Sequence, residues 1–514
     1  MKKIFLTIAI LASYSYMMAQ TEYDALKTTQ SDIIGTARYM SMAGAFGALG
    51  GDASAIKDNP AGLGIYRRSE VVGTLNLSLQ NSEATWDGKT SNDNLYKVGF
   101  NNFSYILSNQ TISDNGLLNS NWSFSYNRLK NFNRNVRISG NPSTSSLSDY
   151  MAYVTGKAED EIKSEFQETD LNYDNINVPF LSVLGYEAYL INRVNNIWQP
   201  DLTTADLSAP TYISQERGGI NEYSLGWGGN FDNTFFLGVT GNIQAVDYNV
   251  NSSYSEVFSN KYGEFGGFTL KNSFSASGVG FNVKVGGIIM PTDFWRLGLS
   301  ISTPTFYALT HSYKSSIQSS FNSLYEDTLV NGNSNNYGSY DFQLQSPVEL
   351  TLSTAFILKN RGLLSFEYDF KDYTTSKFLD KNGNSDSYVS ENEGMKVMLD
   401  KSHTFKVGAE YKLTDNFSLR AGYAYTTSAT KSDANQLVLY NTTRNDAEYF
   451  NHNSTKYLTA GFGYREAGWF LDFAYVRKTI NETFYPYNAA KIAVNGASVI
   501  TNNNNLVATL GFKF

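Results

Sequence analysis

Leu506-Val507-Ala508-Thr509-Leu510-Gly511-Phe512-Lys513-Phe514 is the stretch on which the fold turns. Leu506, Ala508, Leu510, Phe512 and Phe514 fall on one face, and Val507, Thr509, Gly511 and Lys513 on the other. A period of two is the period of a strand. An apolar face ending on an aromatic residue, opposed by small and polar residues, suits a wall with lipid outside and water inside. The edge strand of a soluble sheet alternates in the same way, so the decision rests on the rest of the chain.

This ending resembles the C-terminal signal of bacterial outer-membrane barrels, which implies the barrel assembly machinery as a partner through the Phe514 strand. The other end agrees. Lys2 and Lys3 form a basic region, Ile4 to Ala12 an apolar one, and Met17-Met18-Ala19 precedes a cleavage point at Ala19 or Gln20. Residues 1–20 therefore read as a secretory signal peptide.

The chain has 514 residues, no Cys, 36 Tyr and 15% aromatic residues. An exported chain without Cys has no disulfides and must be stabilised by packing or by a bilayer. No run of 18 apolar residues follows the signal, so no transmembrane helix is expected. Mean hydropathy is −0.33 despite the abundant Tyr, Phe and Gly, as expected where only alternate residues meet lipid. A net charge of −8 and a pI near 5.2 argue against nucleic-acid binding. Three His and no Cys give no basis for a metal centre or a bound cofactor.

Fourteen alternating segments follow residue 70: 71–80, 95–107, 120–130, 221–230, 234–250, 273–290, 293–303, 342–358, 361–373, 401–412, 415–428, 455–465, 468–480 and 504–514. From the fourth onward, short joins alternate with long ones. The short joins carry turn residues: Asp232-Asn233, Pro291-Thr292-Asp293, Lys359-Asn360, Thr414-Asp415-Asn416 and Glu466-Ala467-Gly468. The long joins are 131–220, 251–272, 304–341, 374–400, 429–454 and 481–503. A transmembrane barrel sorts loop length by rim, and a soluble sandwich has no reason to. The expectation is an all-β fold, a 14-stranded antiparallel transmembrane β-barrel over residues 71–514.

The faces follow by parity. Leu364, Phe366, Tyr368 and Phe370 oppose Ser365, Glu367 and Asp369; Phe405, Val407, Ala409 and Tyr411 oppose Lys406, Gly408 and Glu410. A lipid-facing Arg or Lys at mid-bilayer costs roughly 2–4 kcal/mol, so these charges are assigned to the lumen. Trp295, Tyr411, Phe417 and Trp469 sit beside short turns, where an aromatic girdle belongs.

Residues 21–70 do not alternate. They are rich in small residues, broken by Pro60 and many Gly, and too short for a core of their own. A barrel of this size has a lumen that its own side chains cannot fill, so the segment is expected inside it as an N-terminal hatch. Met42-Ala43-Gly44-Ala45-Phe46, then Asp52-Ala53-Ser54-Ala55 and Asn59-Pro60-Ala61-Gly62, resembles the hatch of the FadL/TodX family. Pro291-Thr292-Asp293-Phe294-Trp295-Arg296-Leu297-Gly298-Leu299-Ser300 and Leu419-Arg420-Ala421-Gly422-Tyr423-Ala424-Tyr425 are similar to its barrel segments. The loop 131–220 does not share the likeness.

The resemblance implies a monomeric transporter in the outer membrane of a Gram-negative cell, surrounded by lipid and lipopolysaccharide. Its ligand would be a hydrophobic small molecule such as a long-chain fatty acid, caught by outer loops and released past the hatch without an energy source. In that family exit is held to be sideways through a gap in the wall, which the sequence does not locate. Asn59, Pro60 and Ala61 match the family's signature and become hatch or gating residues, or simply an Asn-capped helix start. Lys284, Lys406 and Phe46 are candidate ligand contacts; the cations equally suit pairing with Glu367, Asp369, Glu410, Asp472 or the hatch. The apolar run Pro179 to Ile191 either forms a capture surface or packs over the barrel mouth. A general porin or an adhesin-like surface barrel is the alternative function. An outer-membrane hydrolase is less favoured, because His311, His403 and His452 are scattered and the chain has no other His.

Overall fold

The computed structural model describes residues 21–112, 115–175, 177–202, 206–321, 325–331, 338–358, 361–435 and 444–514. The signal-peptide reading of residues 1–20 and the Lys359-Asn360 turn lie outside the described residues.

Fourteen antiparallel strands form one closed wall. They are β1 (Glu70–Trp86), β2 (Lys89–Gln110), β3 (Leu117–Asn131), β4 (Leu207–Phe231), β5 (Phe235–Asn260), β6 (Gly263–Thr292), β7 (Trp295–Ser302 with Phe306–Phe321), β8 (Gly338–Gln345 with Glu349–Leu358), β9 (Gly362–Asp372), β10 (Lys401–Lys412), β11 (Phe417–Thr426), β12 (Tyr449–Arg465), β13 (Trp469–Tyr485) and β14 (Ala497–Lys513). Each pairs with its sequence neighbour, and β1 pairs with β14 from Glu70↔Lys513 to Thr85↔Ser498. Closure leaves no edge to aggregate. The C-terminal strand thus completes the wall at the rim where β1 begins, with Ser69 and Phe514 exchanging backbone hydrogen bonds of 3.1 Å.

Sidedness marks this wall as a membrane wall. On β10, Phe405 is 53% exposed while its neighbour Lys406 is 7% exposed. Leu299, Ile301, Phe366, Leu419, Leu458, Leu506, Leu510 and Phe512 are likewise exposed, and Ser300, Ser365, Glu367, Arg420, Thr459 and Thr509 are buried. A continuous apolar exterior around a charged interior would be unstable in water and is the stable arrangement in a bilayer. Tyr411 and Trp469 stand exposed beside turns on the short-turn rim. The β4–β5 turn there has Asp232 and Asn233 at φ 53° and 56°, the left-handed pair that a tight hairpin requires.

Two expected long loops are strand instead. Residues 251–272 continue β5 and β6 to a tight turn at Lys261-Tyr262, and residues 304–341 contain the whole upper part of β7, Phe306–Phe321. The reason is an inversion of polarity. Below, β5 turns Val239 and Ile243 outward and Thr240 and Asn242 inward; above, Asp247, Asn249 and Asn251 face out while Tyr248, Tyr254 and Phe258 are buried. The strands leave the bilayer but keep pairing, now around a water-facing core. Reading strands by their apolar outer face loses them at that level.

That upper core settles the Pro179 to Ile191 run. It forms α4 (Phe180–Glu187) and its flank, with Leu181, Val183, Leu184, Leu190 and Ile191 buried against α3 (Leu147–Ile162), Trp198 and Phe484. The run packs as a lid core, and its apolar side chains present no exposed capture surface apart from Tyr189. Glu256 of β5 anchors the lid. It accepts from Ser146 Oγ at 2.5 Å and Leu147 N at 2.8 Å, at the N-terminus of α3.

Residues 21–69 run down the bore. Thr21 caps α1 (Glu22–Thr29) through a capping box with Asp24. α1 touches α5 (Val389–Met398) near the mouth. Lower, α2 (Ala37–Ser41) packs on β11 to β14, and two short 3-10 turns, Ala55–Lys57 and Pro60–Ile65, complete the plug before β1.

Candidate functional site: the lumen cavity and its plug

The plug is held by backbone contact with a band of glycine. Cβ atoms built on lumen-facing wall glycines would collide with plug backbone: Gly228 with Gly64 N at 2.8 Å, Gly298 with Gly47 O at 2.7 Å, Gly408 with Met42 O at 2.6 Å and Gly422 with Met42 C at 2.5 Å. A Cβ on Gly461 would meet Ser41 Cβ at 2.6 Å, and Cβ atoms on Gly238 and Gly286 would overlap Pro60 and Asn59. Each lies at an inward position of its strand, so the plug's main chain seats where wall side chains are missing. Close approach of two backbones is a use that only glycine serves.

Asn59-Pro60-Ala61 forms part of that seat. Asn59 Oδ1 accepts from Ala61 N at 3.1 Å as the cap of the Pro60–Ile65 turn, with Pro60 at its first position. Asn59 Nδ2 donates to Gly47 O at 2.7 Å and to Gly287 O of β6 at 3.3 Å. The same side chain therefore caps the turn and ties the plug to itself and to the wall.

Ion pairs reinforce the seat. Arg38 of α2 meets Glu410 at 2.9 Å, and Arg420 meets Glu410 at 2.5 Å and Asp472 at 2.6 Å. Arg296 donates to Leu49 O at 2.8 Å. Glu367 accepts from Gly47 N at 2.5 Å and pairs with Lys406 at 2.6 Å, while Asp369 holds the same ammonium at 2.7 Å. Lys284 donates to Lys57 O of the plug at 2.8 Å and pairs with Glu222 at 3.1 Å. Lys406 thus has two of the partners anticipated by parity; Glu222, the partner of Lys284, was not anticipated. Phe46 is fully buried within the plug, 5.9 Å from the Tyr39 ring, and does not line the cavity.

Above the plug lies a cavity of about 280 Å³. Its floor includes Tyr39, Lys57 and Asp58, α1 forms one side, and strands β3 to β14 all contribute to the wall. Tyr23, Phe132, Tyr212, Tyr248, Phe274 and Phe450 line it beside cations and carboxylates in equal number, nine of each. Lys406 lines this cavity. Lys284 lines a smaller one of about 60 Å³ next to it. The lining is amphipathic: aromatic faces for apolar bodies and fixed charges for polar groups. None of the aromatic lining was picked out from the sequence, because inward Tyr and Phe above the bilayer share the residue types of the lipid face below it.

The smaller cavity backs onto a break in the wall. β7 is interrupted at Thr303-Pro304-Thr305 and β8 at Ser346-Pro347-Val348, and the two breaks face each other between the pairs Ser302↔Glu349 and Phe306↔Gln345. Proline cannot donate to the ladder on either strand. Side chains replace it: Ser346 Oγ accepts from Thr305 N at 2.8 Å, and Thr303 Oγ1 accepts from Val283 N at 3.1 Å. On the far side of β8, β9 ends at Asp372 and turns through Tyr373–Thr375. Thr303, Thr305, Ser346 and Pro347 all line the 60 Å³ cavity.

His311 lies on β7 and is buried between the Phe274 and Phe342 rings, at 4.9 and 4.4 Å, rather than in a loop. His452 lies near the start of β12, three residues after Tyr449, and His403 pairs with the Tyr368 hydroxyl at 2.8 Å. No group of three or more His, Asp or Glu able to hold a metal occurs among the described residues.

A closed fourteen-strand barrel with an apolar belt, a plugged bore and an amphipathic lumen cavity defines an outer-membrane β-barrel of the Gram-negative type. The family model of outer membrane protein transport proteins (OMPP1/FadL/TodX) matches residues 222–447. The matched span lies wholly within the barrel and leaves out Asn59-Pro60-Ala61. That family is described as one of outer-membrane transport proteins. The chain is similar in fold to the Pseudomonas putida toluene transporter TodX, at 12% identity over 95% of this chain and 100% of that one, with a TM-score of 0.51. It is also similar to a Pseudomonas aeruginosa FadL homologue, at 13% identity over 95% and 99%, again with a TM-score of 0.51. No curated protein sequence matches it.

Proposed function

We propose that this chain is a passive transporter of hydrophobic small molecules, with the plug as its gate. The carrying observation is the stacking of three features along one bore: an amphipathic cavity, a backbone-seated plug beneath it, and a proline-marked wall break beside it. A ligand entering past the lid core partitions onto the aromatic lining, which lowers the barrier that a water-filled bore would impose on it. The plug blocks the straight path to the periplasm. The break at Pro304 and Pro347 offers a lateral one, because fewer main-chain hydrogen bonds hold the wall there.

Long-chain fatty acids and monoaromatic hydrocarbons are the two ligand classes to compare, the first from the sequence likeness and the second from the named relative. Cells carrying the protein in place of their own transporter are given labelled oleate or labelled toluene. Uptake of at least one, without ATP or proton-motive force, is the expected result. Uptake of neither, together with large ion conductance in planar bilayers, would make the chain a general porin.

A further inference from the structure

The cavity wall holds a cation whose hydrogen bonds are incomplete. Arg134 begins the short strand Arg134–Ser139, which pairs with β4, and lines the 280 Å³ cavity. It is 9% exposed. Its Nη1 lies 2.7 Å from Glu482 Oε2, and its guanidinium stacks 5.0 Å from the Phe450 ring centre. Its Nε and Nη2 have no hydrogen-bond acceptor among the described residues. Buried N–H groups on a charged donor are costly when unmet, so an acceptor is expected there.

Local charge says what kind. Lys130 and Lys478 share Asp32, at 3.6 and 2.6 Å, and Lys27 pairs with Glu216 at 2.6 Å. With Arg134 and Glu482, this cluster of ion pairs has four cations against three carboxylates, a surplus of one positive charge within the cluster. Glu448 also lines the cavity, but Ser252 Oγ holds it at 3.0 Å, and burial pushes its carboxyl up to about 7, away from a full counter-charge. The surplus matches a single carboxylate. The adjoining surface is aromatic: Phe132 and Tyr248 stand 4.8 Å apart, and Tyr212 and Phe450 6.1 Å apart, all facing the same space.

We propose that the Arg134 side of the cavity binds the carboxylate of a small aromatic acid, with the free edge of the guanidinium taking the two oxygens and Phe132, Tyr212, Tyr248 and Phe450 taking the ring. This rests on the transport reading above and names a substrate class for it. A planar fork that meets a carboxylate at two points gives both strength and orientation, which a lysine in the same place would not.

The test uses the full chain in mild detergent and titration calorimetry with phenylacetate and its neutral counterpart phenylacetamide. Phenylacetate is expected to bind about tenfold or more tighter than the amide, in line with a charge-assisted paired hydrogen bond. Arg134→Gln is expected to erase that difference while leaving amide binding within about twofold, and Arg134→Lys to restore only part of it. Because Arg134→Gln strands Glu482, Arg134→Gln/Glu482→Gln is measured alongside, with heat-modifiable gel migration as the check on barrel folding. Equal affinity of the wild type for acid and amide, or unchanged acid binding in both folded variants, overturns the site. Toluene uptake by the same variants separates the two readings. If only the carboxylate site is wrong, uptake persists; if the transport reading is wrong, no variant and no wild type takes up any probe.

Discussion

Asn59 and Gly286 are locked together: the amide of Asn59 occupies the space in which a side chain on Gly286 would lie. Its Nδ2 reaches past to Gly287 O at 3.3 Å, so one plug residue senses both the presence and the position of strand β6. The plug cannot move along the bore without breaking that contact, and the wall cannot acquire a methyl group there without moving the plug.

Gly286→Ala is therefore expected to unseat the plug locally while leaving the lipid-facing wall intact. Overpacking of this kind costs about 1–3 kcal/mol. Asn59→Ala, which loses the cap and both donated bonds, is expected to cost about 1–2 kcal/mol. Both variants should increase single-channel conductance in planar bilayers and speed trypsin cleavage at Lys57, with unchanged heat-modifiable migration. Leu299→Ala, on the outer face, is the control and should change neither readout. Wild-type conductance in Gly286→Ala would mean that the seat tolerates side chains and is not a gate.

Lys406 neutralises two carboxylates, Glu367 and Asp369, at 2.6 and 2.7 Å in the buried lumen. Lys406→Met leaves both without a cation, and breaking a buried pair in this way costs about 3–5 kcal/mol. Lys406→Met/Glu367→Gln/Asp369→Asn removes all three charges and should recover most of the loss. The midpoint of heat modification in detergent reads both effects. A single variant as stable as wild type would place water, and not a dry ion cluster, around Lys406.

Much of the barrel was legible in the sequence, and the reason is local. Each strand crossing the bilayer must present alternate residues to lipid, so Phe405, Val407, Ala409 and Tyr411 betray β10 without any tertiary information. Above the bilayer that constraint ends. At Asp247 of β5 and beyond, the outward residues are free to be polar, and strand and loop look alike. The plug was placed in the bore by elimination, but its seat was hidden: Gly238, Gly286, Gly408 and Gly422 acquire meaning only when fourteen strands bring them to one level. Partners on other strands were equally hidden. Nothing near Lys284 in sequence points to Glu222, and nothing near Arg134 points to Glu482, 348 residues away.

Because the natural chain has no Cys, a single engineered pair reports cleanly on the wall break. Thr305 and Ser346 face each other there, with Ser346 N donating to Thr305 O at 3.0 Å and Thr305 N to Ser346 Oγ at 2.8 Å. Thr305→Cys/Ser346→Cys, oxidised, should staple β7 to β8 at the break and cut uptake of the transported probe several-fold; reduction should restore it. Each single variant should transport normally. Full uptake by the oxidised double variant would show that the ligand leaves by another route.

Glu448, in the segment that leads into β12, gives the fold a pH signature. Burial above all, with Asp446 beside it, raises its carboxyl from its ordinary value near 4.5 to about 7. The folded protein then binds a proton more tightly than the unfolded chain, so stability at this site is greatest at and below about pH 4.5. It declines as pH rises through 4.5 to 7 and levels off above that. Glu448→Gln imitates the protonated form and should flatten this part of the profile, with its advantage over wild type growing as pH rises from 5 to 7.5. Heat-modification midpoints at half-unit pH steps measure the difference between the two proteins, which cancels the titration of every other group. A difference that does not change with pH would mean that Glu448 is solvated in the folded mouth, and that the cavity beside Ser252 and Tyr212 is wetter than its lining implies.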